Sequence, residues 1–241
     1  ESYYYPMSDQ ASAVLDCLRM ECSRLGITIR TGIQPERIRR MREGRRSFYE
    51  IMTDQGEVRA DAVILACGSK AAPNTGSDGS GYELAKSLGH RIIKPLPALV
   101  QLRCQGNHYR QLAGIRTEAD LKLLVNDREM WRERGELQIT DYGISGIPVF
   151  QLSRFAARGM DEGKKVRVMI DFLPFMDKKE SRIFLEQRFA EFGDRNGEDF
   201  LTGVLHKKLA AVLLKMAGIR LDQPVSSASI RQRDHLLRAI K

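Results

Sequence analysis

The stretch from Asp61 to His90, DAVILACGSKAAPNTGSDGSGYELAKSLGH, constrains the fold of this chain more than any other. Ala62 to Cys67 is a short apolar run closed by Gly68, the pattern of a strand covered on both faces in a parallel sheet. Gly76 to Gly81 holds three glycines, two serines and an aspartate. Tyr82 to Leu88 then shows helical spacing through Leu84, Ala85 and Leu88, with Gly89 as the expected stop. A strand, a glycine-rich loop and a helix in that order point to an α/β fold, in which ligands sit beyond the carboxyl ends of strands. The backbone of such a loop can approach a cofactor closely. The stretch predicts cofactor handling near Gly68.

The remaining totals exclude more than they select. The four cysteines (Cys17, Cys22, Cys67, Cys104) form no CxxC pair and the four histidines no cluster, which argues against a structural metal site and a secreted disulfide framework. A reducing cytoplasm fits this usage. No apolar run approaches the roughly 20 residues that span a bilayer, so no membrane partner is expected. A net charge of +8 favours anions, and nucleotide cofactors, acidic metabolites and nucleic acid all satisfy it. The opening ESYYYP, without an initiator methionine, and the stop at Lys241 after a helical pattern suggest an excised piece of a longer protein.

Along the chain, Ser8 is placed to cap a helix with Val14, Leu15, Leu18, Cys22 and Leu25 on its apolar face, ended by Gly26. Ile27 to Arg30 reads as a short strand, and Pro35 to Arg59 as a small antiparallel meander with turns at Glu43-Gly44 and Gln55-Gly56. After the extended Pro95–Leu99 segment the pattern stays strand-like to Thr140. Pro148 suits the first turn of a helix that reaches Phe155 and stops at Gly159, and Val166, Val168 and Ile170 alternate as a further strand. Beyond Pro174 three helices are expected. One carries Ile183 to Phe192, one runs from Phe200 to Met216, and one is capped by Ser226 or Ser227 and reaches Ile240.

Each chemical motif has a plainer alternative. Six arginines between Arg37 and Arg46 form either a phosphate-binding patch or a charged hairpin edge that resists aggregation. No aromatic residues interleave them as a stacking platform, so the edge reading is preferred. The loop after Gly68 is a phosphate cradle or only a tight connection; it is not GxxxxGK[ST], and GxGxxG is absent from the chain. Cys67 is a nucleophile without a visible base, or a small hydrophobe closing a strand. His90 is a base or a helix-end cap. Thr140, Ser145 and Gly146 precede a helix whose free N–H groups could bind an anion, or they form only its cap.

At the same residues the chain resembles the FAD flavoproteins of the aminoacetone oxidase-like, NAD(P)/FAD-utilising dehydrogenase family, which includes a bile-acid-pathway reductase-like member. That family has an apolar strand ending ATGG, a segment like KTGSTGDGYELAKKLGH, a PALV stretch and a T-x-x-G-I-S-G-P loop. Here they correspond to Val63–Ser69, Asn74–His90, Pro97–Val100 and Thr140–Pro148, the last with Ile147 inserted. Pro6, Ser8, Ala11 and Val14 match an earlier family segment. Cys67 and Ser69 depart from ATGG, and Asp78 and Ser80 from the second loop, while Gly68, Gly76, Gly79 and Gly81 are kept.

The resemblance implies a mixed α/β architecture. Residues 1–95 would be part of a Rossmann-like FAD-binding domain with a β-meander, 96–173 the β-barrel part of an insert, and 174–241 its helical subdomain. The GxGxxG segment would lie upstream and a closing segment downstream. The implied activity is hydride transfer between FAD and a small organic substrate, with NAD(P)H as an optional reductant. FAD would belong to the longer protein and would not be retained by these residues alone. Ala66, Cys67, Gly68, Gly76, Ser77 and Gly79 would border the cofactor. Tyr5, Pro6, Pro97, Ala98, Leu99, Thr140, Ser145 and Gly146 would line the substrate pocket. No catalytic acid, base or metal ligand is singled out. Nucleic acid is not an expected partner, and the oligomeric state stays open. The rival classes are a basic nucleic-acid-binding module using the Arg37–Arg46 hairpin and a non-catalytic interaction domain built on the helices.

Overall fold

A computed structural model describes residues 4–241, which fall into two compact units divided between Pro95 and Leu96. Among the described residues, no helix is long and apolar enough to cross a membrane.

The first unit has little interior. Helix α1 (Ala11–Arg24) ends where Gly26 turns to φ +66°, but Ser8 does not cap it: the capping position is Gln10, whose side chain makes no cap bond. Val14, Leu15, Leu18 and Leu25 all lie exposed. The meander forms as an antiparallel sheet of β1 (Pro35–Glu43), β2 (Arg46–Thr53) and β3 (Gly56–Ala60). Helix α2 (Ser80–Ser87) packs against β1, and among the described residues Ile38 and Leu84 are the buried apolar side chains of the unit.

Two expected strands are absent. Residues 27–30 and 62–67 carry no ladder, and Ile64 is 90% exposed. The physical reason is shared. A strand needs a neighbour for its backbone groups, and among the described residues of this unit no strand flanks either run. The apolar character of residues 62–67 is a demand for cover that the described residues do not meet.

The second unit has a full core. Its sheet contains β4 (Leu102–Arg103), β5 (Arg116–Val125), β6 (Arg128–Thr140), β7 (Gly143–Ser145) and β8 (Val166–Asp171), in the order β4-β7-β6-β5-β8. All pairings are antiparallel, giving a curled half-barrel. A single helical turn, α3 (Tyr109–Leu112), precedes β5. Alternation places Ala119, Leu121, Leu123, Leu137 and Ile139 on the inner face, where α4 (Ile147–Asp161) packs with Val149, Leu152 and Ala156 buried. Gly159 does not stop this helix. It lies inside it because a Cβ there would come within 3.0 Å of Val166 Cγ2 and 3.3 Å of Val125. The glycine serves close packing.

The helical part comprises α5 (Lys178–Glu191), α6 (Gly197–Phe200), α7 (Lys207–Met216) and α8 (Ile230–Ile240). Asp177 opens α5 with a reciprocal capping box to Glu180. The expected single helix from Phe200 to Met216 is broken: Gly203 takes φ +81°, and His206 Nδ1 accepts from Lys208 N at 3.2 Å to start α7 afresh. Ser229, rather than Ser226 or Ser227, caps α8; the two earlier serines lie in a 3-10 turn. Phe189 and Phe200 meet at 4.5 Å between ring centroids, and Arg188 Nε donates to Phe200 O at 2.7 Å, joining α5 to α6.

Candidate functional site

The glycine-rich loop of the first unit is held by its own short side chains. Ser77 Oγ donates to Ser69 O at 2.7 Å, and Ala72 and Ser77 exchange backbone bonds at 3.3 and 3.2 Å. Gly68 sits above this tie at φ +76°, and a Cβ there would stand 2.7 Å from Ser77 Oγ. Cys67 lies against the first turn of α2, where a Cβ on Gly81 would meet Cys67 Sγ at 3.2 Å. Lys70 folds over Gly79, whose φ is +90° and whose added Cβ would lie 2.5 Å from Lys70 Cγ. Asp78 Oδ1 accepts from Ser80 N at 2.9 Å, which holds its carboxyl below the usual carboxylate range.

The loop therefore gathers all six residues expected to border a cofactor, but in two roles. Ala66, Cys67, Gly68 and Gly76 are exposed, presenting a main-chain surface nearly free of side chains. Ser77 and Gly79 support that surface from beneath. Such a bare backbone is the kind of wall that a planar cofactor can approach closely. Tyr5 is exposed, and Pro6 O accepts from Asp9 N at 2.9 Å in a turn ahead of α1.

The other candidates belong to the second unit. Leu99 holds φ +54°, a left-handed conformation that a bulky residue seldom adopts, with its side chain 65% exposed. The strain is fixed next door: Val100 N donates to Ser153 Oγ at 3.2 Å, and Ser153, fully buried in α4, donates onward to Phe150 O at 2.7 Å. Pro97 and Ala98 are exposed on the same segment. Ser153 is a support that sequence reasoning missed, because a serine among helical apolar residues carries no visible signal.

Thr140 and Ser145 share one face of the β6–β7 ribbon, since Thr140 pairs with Gly143 and Gln138 with Ser145. Ser145 is buried, and the buried Thr140 Oγ1 has no hydrogen-bond partner among the described residues. Gly146 opens α4 at φ +105°, where a Cβ would strike Glu136 O at 2.4 Å. Pro148 in the first turn brings no N–H, which thins the donor set available to an anion there.

A further pair went unnoticed in the sequence. The hydroxyl of Tyr109 is pushed well up, first by burial and then by its bond to Cys104, and burial likewise pushes up the Cys104 thiol. Tyr109 borders an apolar cavity of about 270 Å³ with Leu112, Ile144 and Leu213.

Residues 96–241 match the HI0933-like protein barrel and H2TH domain, which is more than half of the chain. The chain belongs to the HI0933-like family, a family of FAD-utilising flavoproteins. Over 239 residues it is 42% identical to a 3-dehydro-bile acid delta(4,6)-reductase of Clostridium scindens, covering 99% of this chain and 58% of that protein. Over 221 residues it is 23% identical to a ribosomal RNA dihydrouridine synthase of Haemophilus influenzae, covering 91% of this chain and 52% of that protein. The chain thus spans a little over half the length of these two relatives.

Proposed function

We propose that the chain forms part of an FAD-dependent reductase acting on a carbon–carbon double bond conjugated to a carbonyl. The observation that carries this reading is the 42% identity, over nearly the whole chain, to a relative named as a reductase. The two relatives' names share a chemistry. A 3-dehydro steroid with unsaturation at positions 4 and 6 is a conjugated ketone, and dihydrouridine is uridine saturated at a double bond conjugated to a ring carbonyl. Both reductions add a hydride at the far carbon of the conjugated system and a proton nearer the carbonyl.

In this reading the exposed main chain of Ala66, Cys67 and Gly68, with Gly76, lies against the cofactor, and Ser77 and Gly79 keep the loop in shape. The flavin, when bound, supplies the hydride; the protein supplies binding, orientation and exclusion of water. Leu99 and its neighbours Pro97 and Ala98 present apolar surface to the substrate. The buried Thr140 hydroxyl offers an unspent hydrogen bond beside Ser145 and Gly146. NAD(P)H is the proposed source of electrons, and the pyrophosphate-gripping GxGxxG belongs to sequence outside these residues.

An RNA substrate is the second reading. It is favoured by Arg37, Arg39, Arg40 and Arg45, which have no ion-pair partner among the described residues, whereas Arg46 pairs with Asp61 at 2.7 Å. The experiment uses the longer polypeptide with FAD and NAD(P)H under anaerobic conditions, offered either a conjugated 3-keto steroid acid or uridine-containing ribosomal RNA. Loss of the enone absorbance with reoxidation of the flavin is the expected result. Turnover of the RNA alone supports the second reading, and failure of the purified protein to hold flavin refutes both.

A further inference from the structure

Alternation on β5 turns Ala119, Leu121 and Leu123 inward, and so sends Asp120 and Lys122 to the outer face of the sheet. The register there sets like charges side by side. Lys122 stands opposite Arg132 of β6, and Asp120 stands opposite Asp171 of β8. Directly opposed like charges destabilise a sheet. Asp171 is relieved by Lys241 Nζ at 2.6 Å, in an ion pair that is mostly buried. Asp120 and Lys122 have no comparable relief. Arg132 Nε lies 3.2 Å from Glu129 but 3.9 Å from Asp120, and Arg134, on the other side of Asp120, turns to Glu118 at 3.7 Å. The buried Asp120 Oδ1 has no hydrogen-bond partner among the described residues, and Lys122 forms no ion pair among them.

These groups border a cavity of about 630 Å³, a size suited to a small molecule. Lys178 and Arg238 line it as well and also form no ion pair among the described residues. Three uncommitted cations, Lys122, Lys178 and Arg238, therefore converge on one space. The remaining carboxylate on its wall, Asp177, is engaged in the cap of α5. Met169, Met176 and Phe175 supply the apolar part of the lining. Phe175 is 74% exposed, with the Arg134 guanidinium 4.5 Å from its ring centre. Its position is set in advance. Lys241 Nζ donates to Leu173 O at 3.2 Å and to Met176 O at 2.5 Å, and Leu173 N donates to Asp171 Oδ1 at 2.9 Å, which fixes the turn that presents the ring.

Three requirements stay open at this cavity. The cations call for an anion of more than one charge, the exposed ring for a planar partner, and Asp120 Oδ1 for an N–H or O–H donor. A simple carboxylate brings too little charge, and a free phosphate brings no ring. We propose that the cavity binds a nucleoside monophosphate. Its phosphate is held by Lys122, Lys178 and Arg238, its base stacks on Phe175, and a ribose hydroxyl or base amino group donates to Asp120. This inference does not depend on the flavin reading and stands or falls without it.

Calorimetric titration of AMP into the flavin-loaded longer polypeptide tests it, with adenosine and inorganic phosphate as comparison probes. AMP is expected to bind at least about tenfold more tightly than either, because it alone makes both the charged and the stacking contacts. Phe175→Ala is expected to weaken AMP about tenfold and leave phosphate unchanged. Lys122→Gln is expected to weaken AMP about tenfold and leave adenosine unchanged. Lys178→Gln, at an exposed position, gives the same reading if the Lys122 variant fails to fold. Absence of AMP binding overturns the proposal. So does phosphate binding as tightly as AMP, since the cavity then takes an adventitious ion only. AMP affinity unchanged in the variants, or AMP binding that releases flavin, also overturns it, because a cofactor site is then the occupied one.

Discussion

Replacing Gly146 by alanine measures how tightly the β6–β7–α4 corner is built. Two costs add. The residue holds φ +105° and ψ 166°, a region essentially reserved for glycine, and holding an L-residue there costs about 1–3 kcal/mol. The new Cβ would also stand 2.4 Å from Glu136 O and 3.3 Å from Gln138 N, both backbone atoms of β6 that cannot swing aside as a side chain does. Overpacking of that kind costs typically about 1–3 kcal/mol. The expected loss is about 2–6 kcal/mol, taken as the sum of the two. Gly163→Ala is the control: its φ is +69° but nothing lies within 4 Å of the added Cβ, so only the backbone cost applies. Trp131, the single tryptophan, stacks on Phe155 of α4 at 4.7 Å and reports on this unit alone in a urea titration followed by fluorescence. If Gly146→Ala and Gly163→Ala shift the midpoint equally, the clash with β6 has no energetic weight and the reasoning fails.

Other substitutions probe separate features. Phe200→Ala empties a fully buried site beside Phe189 and should destabilise the second unit by about 3–5 kcal/mol in the same titration. Asp177→Ala removes the capping box of α5 and should cost about 1 kcal/mol, with helix loss visible by circular dichroism; an unchanged midpoint would discount the cap. The folded-state pKa of the Cys104 thiol is raised, so its contribution to stability is complete below the unfolded thiol value of about 8.5 and is lost as pH rises above it. Urea midpoints should fall between neutral and alkaline pH, and Cys104→Ala should flatten that fall. In the longer polypeptide, Gly79→Ala should displace Lys70 and weaken flavin retention at least about tenfold, while a binding titration that shows no change would remove the loop from the cofactor site.

The parts of the fold that show in the sequence are those whose cause is local. The meander follows from alternation and two glycine turns, and α2 and α4 from their spacing and from Gly89 and Pro148. What failed was set by neighbours. The run at 62–67 has the composition of a covered strand, yet a ladder depends on a second strand that these residues do not supply. Gly159 looks like a helix stop because glycine often is one, but its role is decided by Val125 and Val166 from distant strands. The candidate site shows the same division. Gly68 and Gly79 could be picked out as glycines in a loop, whereas the Ser77–Ser69 tie, the Lys70 cover and the Ser153 anchor under Leu99 exist only in three dimensions.

The contrast, among the described residues, between a first unit with two buried apolar side chains and a second with a continuous core bears on which part opens first. Burying one large aliphatic side chain yields about 1.5–3 kcal/mol, so two cannot offset the ordering of some ninety residues. Taken by itself, the first unit is therefore the part of the chain that opens first, and its bare helix is where a protease reaches the backbone soonest.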